Sequence, residues 1–188
     1  MSKEKKQNGR RAYLRDFKVD SNGDYVYNGN MYDVSDGEDY GRAFKLAWVL
    51  AGILTASVIA KGCIPASGML NTFYIIIPFM LETLSCGLLV YALIKLSIAK
   101  RPLREYVYKA TVLKIPGRVS VMYTFSFIST FAYTVWLITG GEEKHTWCAF
   151  LFIILGITNG VCGIIFKRVF SANKFEKLAK PVIPKEDR

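Results

Sequence analysis

The sequence predicts an all-α membrane protein: a bundle of four transmembrane helices, both termini in the cytoplasm, and a small N-terminal cytoplasmic β-hairpin or meander. Three observations support this fold class. The 188 residues are 52% hydrophobic and 14% aromatic, which is too apolar for an ordinary soluble domain. The apolar residues fall into four blocks close to membrane-crossing length. The basic residues are concentrated in alternate connecting segments.

Residues 1–34 are polar and form a predicted cytoplasmic segment with short strands. The stretch FKVDSNGDYVYNGNMYDV alternates β-forming residues around the pairs Asn22-Gly23 and Asn28-Gly29. Asn-Gly favours a type I′ turn because both residues accept positive φ, so we expect a hairpin. A lone hairpin is marginally stable in water and needs a surface to pack on. The residues expected to make cross-strand aromatic contacts are Tyr25, Tyr27 and Tyr32.

Residues 35–170 form the predicted transmembrane domain. Each apolar block approaches or exceeds the roughly 20 residues that a helix needs to cross the hydrocarbon layer. The blocks lack the polar stripe of a soluble amphipathic helix. The predicted spans cover about 43–61, 70–98, 119–139 and 146–166.

The distribution of Lys and Arg predicts the orientation. These residues are concentrated before the first span, between the second and third spans, and after the fourth span, where Lys167 and Arg168 precede the basic tail at 171–188. The other two loops carry only Lys61 and Lys144. The positive-inside rule then places both termini in the cytoplasm of a multi-pass protein of the cell membrane. Short outer loops and the modest length favour a bacterial membrane.

The net charge of +10 is explained by the membrane. Every basic cluster adjoins a span, and each Lys or Arg near a membrane surface gains about 1 kcal/mol from anionic head groups. We therefore expect lipid head groups, and not nucleic acid, as the partners of these clusters.

The connecting segment at 101–115 has two interpretations. Leu103, Tyr106, Val107 and Ala110 share one helical face, which favours an interfacial amphipathic helix. The stretch EYVYKATV also alternates well enough to form a strand beside the N-terminal hairpin. So short a window does not separate the two by periodicity.

Glu82 is a carboxylic acid near the middle of the second apolar block. An acidic side chain there costs about 3 kcal/mol and demands protonation or hydrogen-bond donors. A functional interpretation makes Glu82 a proton- or cation-coupling group, whereas a structural one makes it a protonated tie between helices. No second charge is expected deep in the membrane. The candidate intramembrane partners include Asn159 in the fourth span and, in the third, Ser126, Ser129, Thr130 and Tyr133.

Small residues in the fourth span suggest close helix packing. Gly156 and Gly160 have the small-xxx-small spacing that lets helix backbones approach, and Gly163 follows. We expect them to pack within the bundle, with homodimerisation as the alternative.

The four cysteines show no metal-ligand spacing. Cys63 and Cys148 fall at the predicted outer ends of spans, so a Cys63–Cys148 disulfide is one hypothesis, and two reduced thiols are the other. No metal site, cofactor or catalytic residue is predicted, because a single histidine and the absence of phosphate-loop or dinucleotide motifs leave an enzyme unsupported.

Two functions remain. The first is a non-enzymatic accessory or interaction subunit that holds a protein partner, or a second copy of itself, through its cytoplasmic face. The alternative is a small proton- or cation-coupled transporter in which Glu82 is the coupling carboxylate.

Overall fold

The computed structural model describes residues 17–19, 25–27, 29–34, 37–99, 101–143, 145–172 and 175–178. The fold is mostly helical, and its long helices lie where the sequence has its apolar blocks. The helices are α1 (Gly37–Cys63), α2 (Ser67–Asn71), α3 (Phe73–Ile98), α4 (Glu105–Ala110), α5 (Ile115–Ile138) and α6 (Thr146–Ala172). The strands are β1 (Phe17–Val19), β2 (Tyr25–Tyr27), β3 (Met31–Val34), β4 (Leu103–Arg104) and β5 (Phe175–Leu178).

Four helices, α1, α3, α5 and α6, are long and apolar enough to cross a membrane. Large apolar side chains remain exposed along their outer faces: Phe131 is 72% exposed, Met80 64% and Phe150 64%. Apolar surface on this scale is unfavourable in water and suits contact with lipid. The prediction of four membrane-length helices is therefore confirmed.

The helices form an antiparallel bundle with two distinct ends. α5 packs between α3 and α6, and α1 packs mainly on α6 and less on α3. We call the end that carries β3, β4 and β5 the sheet end. The opposite end, which carries α2 and the α5–α6 loop, we call the α2 end.

Three distant segments build one small sheet, ordered β4-β3-β5, with both pairings antiparallel. Tyr32 in β3 stacks on Tyr108 of α4 at 4.2 Å between ring centroids. The Phe175 ring of β5 contacts both Tyr108 and Tyr40. We call this sheet with α4 the β-layer; it covers the sheet end of the bundle.

The β-layer differs from the sequence-based expectations in three respects. In residues 101–115 the stretch EYVYKATV begins with the helix α4, and the strand that pairs with β3 is β4, which comes immediately before it. The segment expected to be a basic tail instead contributes β5. Tyr32 makes its aromatic contact with a helix and not across a hairpin, because β3 pairs with β4 and β5.

β1 and β2 form a separate antiparallel pair, with Phe17 opposite Tyr27. The residues between the two strands, including Asn22-Gly23, lie outside the described residues, so the predicted turn stays a prediction. Tyr27 links this pair to the β-layer: its hydroxyl donates to the Asn30 carbonyl at 3.3 Å and accepts from the Glu105 amide at 3.2 Å.

The three glycines of α6 lie on its buried face, where α5 approaches closely. A Cβ on Gly156 would overlap the Thr130 side chain, and one on Gly160 would overlap the Phe127 ring. On Gly163 it would lie 2.9 Å from Cβ of Tyr123. A larger residue at these positions would force α5 and α6 apart.

Candidate functional site

One polar side chain from each membrane-length helix meets inside the bundle: Lys61 of α1, Glu82 of α3, Ser129 of α5 and Asn159 of α6. All four are completely buried, with 0% exposure. We call this group the tetrad. Each membrane-length helix contributes one of its members.

Glu82 is the acceptor at the centre of the tetrad. Lys61 Nζ donates to its Oε2 at 2.9 Å, and Asn159 Nδ2 donates to its Oε1 at 2.8 Å. Ser129 Oγ lies 3.2 Å from Oε2. Each carboxylate oxygen therefore accepts from a side chain of another helix, Oε2 from Lys61 and Oε1 from Asn159, as a buried charge requires.

Lys61 is the only cation at this position, and its surroundings suit an ammonium group. Its Nζ also donates to Ser129 Oγ at 2.7 Å. Aromatic rings flank it, with the centroid of Phe152 at 4.6 Å and that of Phe79 at 5.6 Å. Ring faces attract a cation that has lost its water. Because Lys61 and Glu82 carry opposite unit charges, the ion pair is neutral overall.

The position of Lys61 corrects two expectations: that this residue belongs to an outer loop, and that the membrane interior holds no charge besides Glu82. α1 continues through this residue to Cys63. Lysines near span ends usually extend outward to water, but this side chain turns inward to reach Glu82. A sequence signal exists: Leu50, Leu54 and Val58 are buried on one face of α1, and position 61 continues their helical spacing.

Two features of the tetrad leave hydrogen-bonding capacity unused. The Ser129 hydroxyl lies within bonding distance of both Glu82 and the Ser126 carbonyl, and its one proton serves only one of them at a time. Asn159 Oδ1 is buried and has no hydrogen-bond partner among the described residues. A donor entering the site would find this oxygen beside the ion pair.

Tyr133, a candidate partner of Glu82 by its sequence position, does not hydrogen-bond to it in the structure. Its hydroxyl instead donates to Glu143 Oε2 at 2.7 Å, at the α2 end. Glu143 also accepts from the Ser67 amide at 2.9 Å and from the Ser67 hydroxyl at 3.0 Å. The Tyr133 ring packs on Phe152 at 4.4 Å, so these two rings separate the Glu143 contacts from Lys61.

The hypothesised Cys63–Cys148 disulfide is absent. Both residues are free thiols; Cys63 is exposed at the end of α1 and Cys148 is buried in α6.

The chemistry available to the tetrad is proton exchange and charge pairing. It brings together an amine, a carboxyl, a hydroxyl and an amide, but the carboxylate is enclosed and faces no exposed surface. Comparison with protein-family models, curated proteins and solved structures finds no match to this chain. Functional inference therefore rests on the geometry alone.

The ion pair predicts strong coupling between Lys61 and Glu82. Replacing either partner alone, by Lys61→Met or Glu82→Gln, leaves the other buried charge unpaired and should lower the free energy of unfolding by about 3–5 kcal/mol. The double variant should recover most of this loss, because both charges are then gone. Unfolding in mixed micelles measures all three, with exposed Lys45→Met as the matched control. A double variant as unstable as the sum of the singles would contradict the coupling.

Proposed function

We propose that this protein is a small, non-enzymatic accessory subunit of the cell membrane that holds a protein partner through its cytoplasmic face. The observation that carries this proposal is the β-layer. Segments before α1, after α3 and after α6 converge there into one ordered surface outside the membrane-length helices. Ordering three chain segments costs conformational entropy. A docking role would explain why the chain maintains an ordered surface there.

The outer strand of the β-layer supports a docking role. Within the described residues β5 pairs only with β3, so its other side is a sheet edge. Glu176, Lys177 and Leu178 on this strand are exposed, and Leu178 is 41% exposed. An edge strand can take up a strand from another chain through main-chain hydrogen bonds. The partner is either another protein or a second copy of this chain.

The tetrad supports an accessory role by its enclosure. A carboxylate that exchanges a proton or cation with water needs a route to one side of the membrane. Glu82 is 0% exposed, its oxygens accept from Lys61 and Asn159, and Ser129 Oγ lies 3.2 Å from Oε2. We infer that the tetrad fixes the four helices in one arrangement and so holds the β-layer rigid.

The charge distribution supports an orientation with the sheet end in the cytoplasm. The exposed described basic residues at that end include Arg42, Lys45, Lys109 and Lys114. At the α2 end the described basic residue, Lys61, is buried. By the positive-inside rule both termini are then cytoplasmic, and the basic residues face anionic head groups.

One observation favours the alternative function, a small proton- or cation-coupled transporter. Intramembrane charges are functional by default because they are expensive, and Lys61 supplies the second charge that the sequence appeared to lack. In this alternative, a proton or cation would compete with the Lys61 ammonium for Glu82. The unpartnered Asn159 Oδ1 would be a further ligand.

The orientation predicts which residues a membrane-impermeant maleimide reaches in intact cells. Cys63 is exposed at the α2 end and should be labelled from outside. A cysteine introduced by Leu113→Cys, at a position 57% exposed near the sheet end, should be labelled only after permeabilisation. Each protein carries a single cysteine: the first keeps only Cys63, and the second has only the cysteine at position 113, with the remaining native cysteines replaced by serine. Labelling of the introduced cysteine in intact cells would overturn the orientation.

The accessory role predicts specific crosslinks from the β-layer. A photoreactive residue at Glu176 or Lys177 should give a discrete product in cells that naturally produce the protein, and its mass separates a self-dimer from another protein. Ile157, which is 49% exposed on the outer face of α6, is the matched lipid-facing control. The proposal fails if β-layer positions give no discrete product. Substrate movement in proteoliposomes that Glu82→Gln abolishes would establish the transporter instead.

A further inference from the structure

A groove between α5 and α6 near the sheet end has a composition unlike the rest of the membrane-facing surface. Its volume is about 310 Å³, and its lining residues are Tyr123, Ile164, Lys167, Arg168 and Ser171. The lining combines two cations, a hydroxyl group and an aromatic ring beside an aliphatic side chain. We call it the α5–α6 groove.

Gly163 lies directly beside Tyr123, the aromatic residue that lines the groove. This glycine is buried, and a Cβ on it would lie 2.9 Å from Cβ of Tyr123. The missing side chain lets Tyr123 pack onto α6 and form one wall. Lys167 lies along that wall, with its Nζ 5.9 Å from the centroid of the Tyr123 ring.

The two cations of the groove have no protein counter-ion among the residues that the structure describes. The lining contains no acidic residue. The ion pairs in the described part of the chain join Lys61 to Glu82 and Lys109 to Glu105, so neither includes Lys167 or Arg168. Two adjacent positive charges without a carboxylate repel each other and attract an anion.

The position of the groove along α6 matches the boundary between head groups and hydrocarbon. Trp147 is 55% exposed near the start of α6, and exposed tryptophans favour the membrane interface. Lys167 follows 20 residues later in the same helix, or about 30 Å along its axis. That length matches the hydrocarbon thickness of a bilayer, so Lys167 reaches the opposite interface when Trp147 lies at the first.

The apolar surface beside the groove continues toward the middle of the bundle. Ile164 is 36% exposed, Ile165 43% and Val161 47%. These aliphatic side chains occupy the turns of α6 that precede Lys167 and Arg168. A ligand with an anionic head and a hydrocarbon chain fits this sequence of surfaces, whereas a soluble anion would use only the cations.

We propose that the α5–α6 groove is a binding site for an anionic phospholipid. Lys167 and Arg168 hold the phosphate, Ser171 donates to a head-group oxygen, and one acyl chain lies along Ile164 and Val161. The proposal does not depend on the accessory role, because none of the groove's lining residues belongs to β5.

Lipid binding to the purified full-length protein in detergent tests this proposal. Phosphatidylglycerol should bind and remain bound in native mass spectrometry, while phosphatidylcholine should be lost. Lys167→Gln/Arg168→Gln should weaken phosphatidylglycerol binding by about thirtyfold, since two basic contacts are lost. The matched control is Arg42→Gln/Lys45→Gln, which removes two exposed charges at the same end and should weaken binding less than about threefold. The swap Lys167→Arg/Arg168→Lys keeps both charges and should retain binding.

Four results would overturn the proposal. Equal retention of phosphatidylglycerol and phosphatidylcholine would show that head-group charge does not determine binding. An equal loss of binding in the Arg42→Gln/Lys45→Gln control would show that the attraction is not specific to the groove. Displacement of the lipid by an equal concentration of inorganic phosphate would make the groove a site for soluble anions. Crosslinking of a photoreactive phosphatidylglycerol to the unaltered protein tests the site without any substitution, so misfolding of a variant cannot affect the result. The lipid adducts should map to the groove, and adducts spread evenly over the outer helix faces would count against the proposal.

Discussion

The structure depends on one electrostatic constraint: two opposite charges, on Lys61 and Glu82, are buried where water does not reach. Either charge alone would be costly in a medium of low dielectric constant, and the ion pair is tolerable only with close contact and full hydrogen bonding. Ser129 and Asn159 complete that bonding from α5 and α6. The constraint therefore requires all four membrane-length helices to meet at one point, which apolar packing against lipid would not by itself require.

The remaining parts of the fold follow from this meeting point. α6 can bring Asn159 to Glu82 only if it packs closely on α5, and the buried glycines at positions 156, 160 and 163 permit that approach. At the α2 end, Glu143 binds Ser67 and Tyr133 and so joins the α5–α6 loop to α2. At the sheet end, the fixed helix ends bring β3, β4 and β5 within pairing distance. A rigid bundle thus supports an ordered surface outside it.

The sequence predicted the four membrane-length helices well, because the lipid-facing residues that mark them depend only on local hydrophobicity. The sequence did not reveal the buried position of Lys61. A hydropathy profile places a charged residue at a span end in the adjoining loop, and it does not detect an ion-pair partner 21 positions later. The sequence also did not reveal β5, whose pairing with β3 joins residues far apart in the chain. The segment at 101–115 was ambiguous by periodicity because a strand of two residues and a helix of six adjoin there. Tyr133 shares a face of α5 with Ser129 but lies one turn nearer to the α2 end, where its hydroxyl meets Glu143; helical spacing alone does not tell which carboxylate it reaches.

The direct test of the buried ion pair is a solid-state NMR distance measurement on the protein in lipid bilayers. Lysine labelled with ¹⁵N at Nζ and glutamate labelled with ¹³C at Cδ report close nitrogen–carbon pairs. Lys109→Gln removes the other described ion pair, with Glu105. The account predicts strong dipolar dephasing in this variant and its loss when Glu82→Gln is added. Absence of dephasing in the Lys109→Gln variant itself would contradict the buried ion pair, because Lys61 and Glu82 would then not be in contact in the membrane.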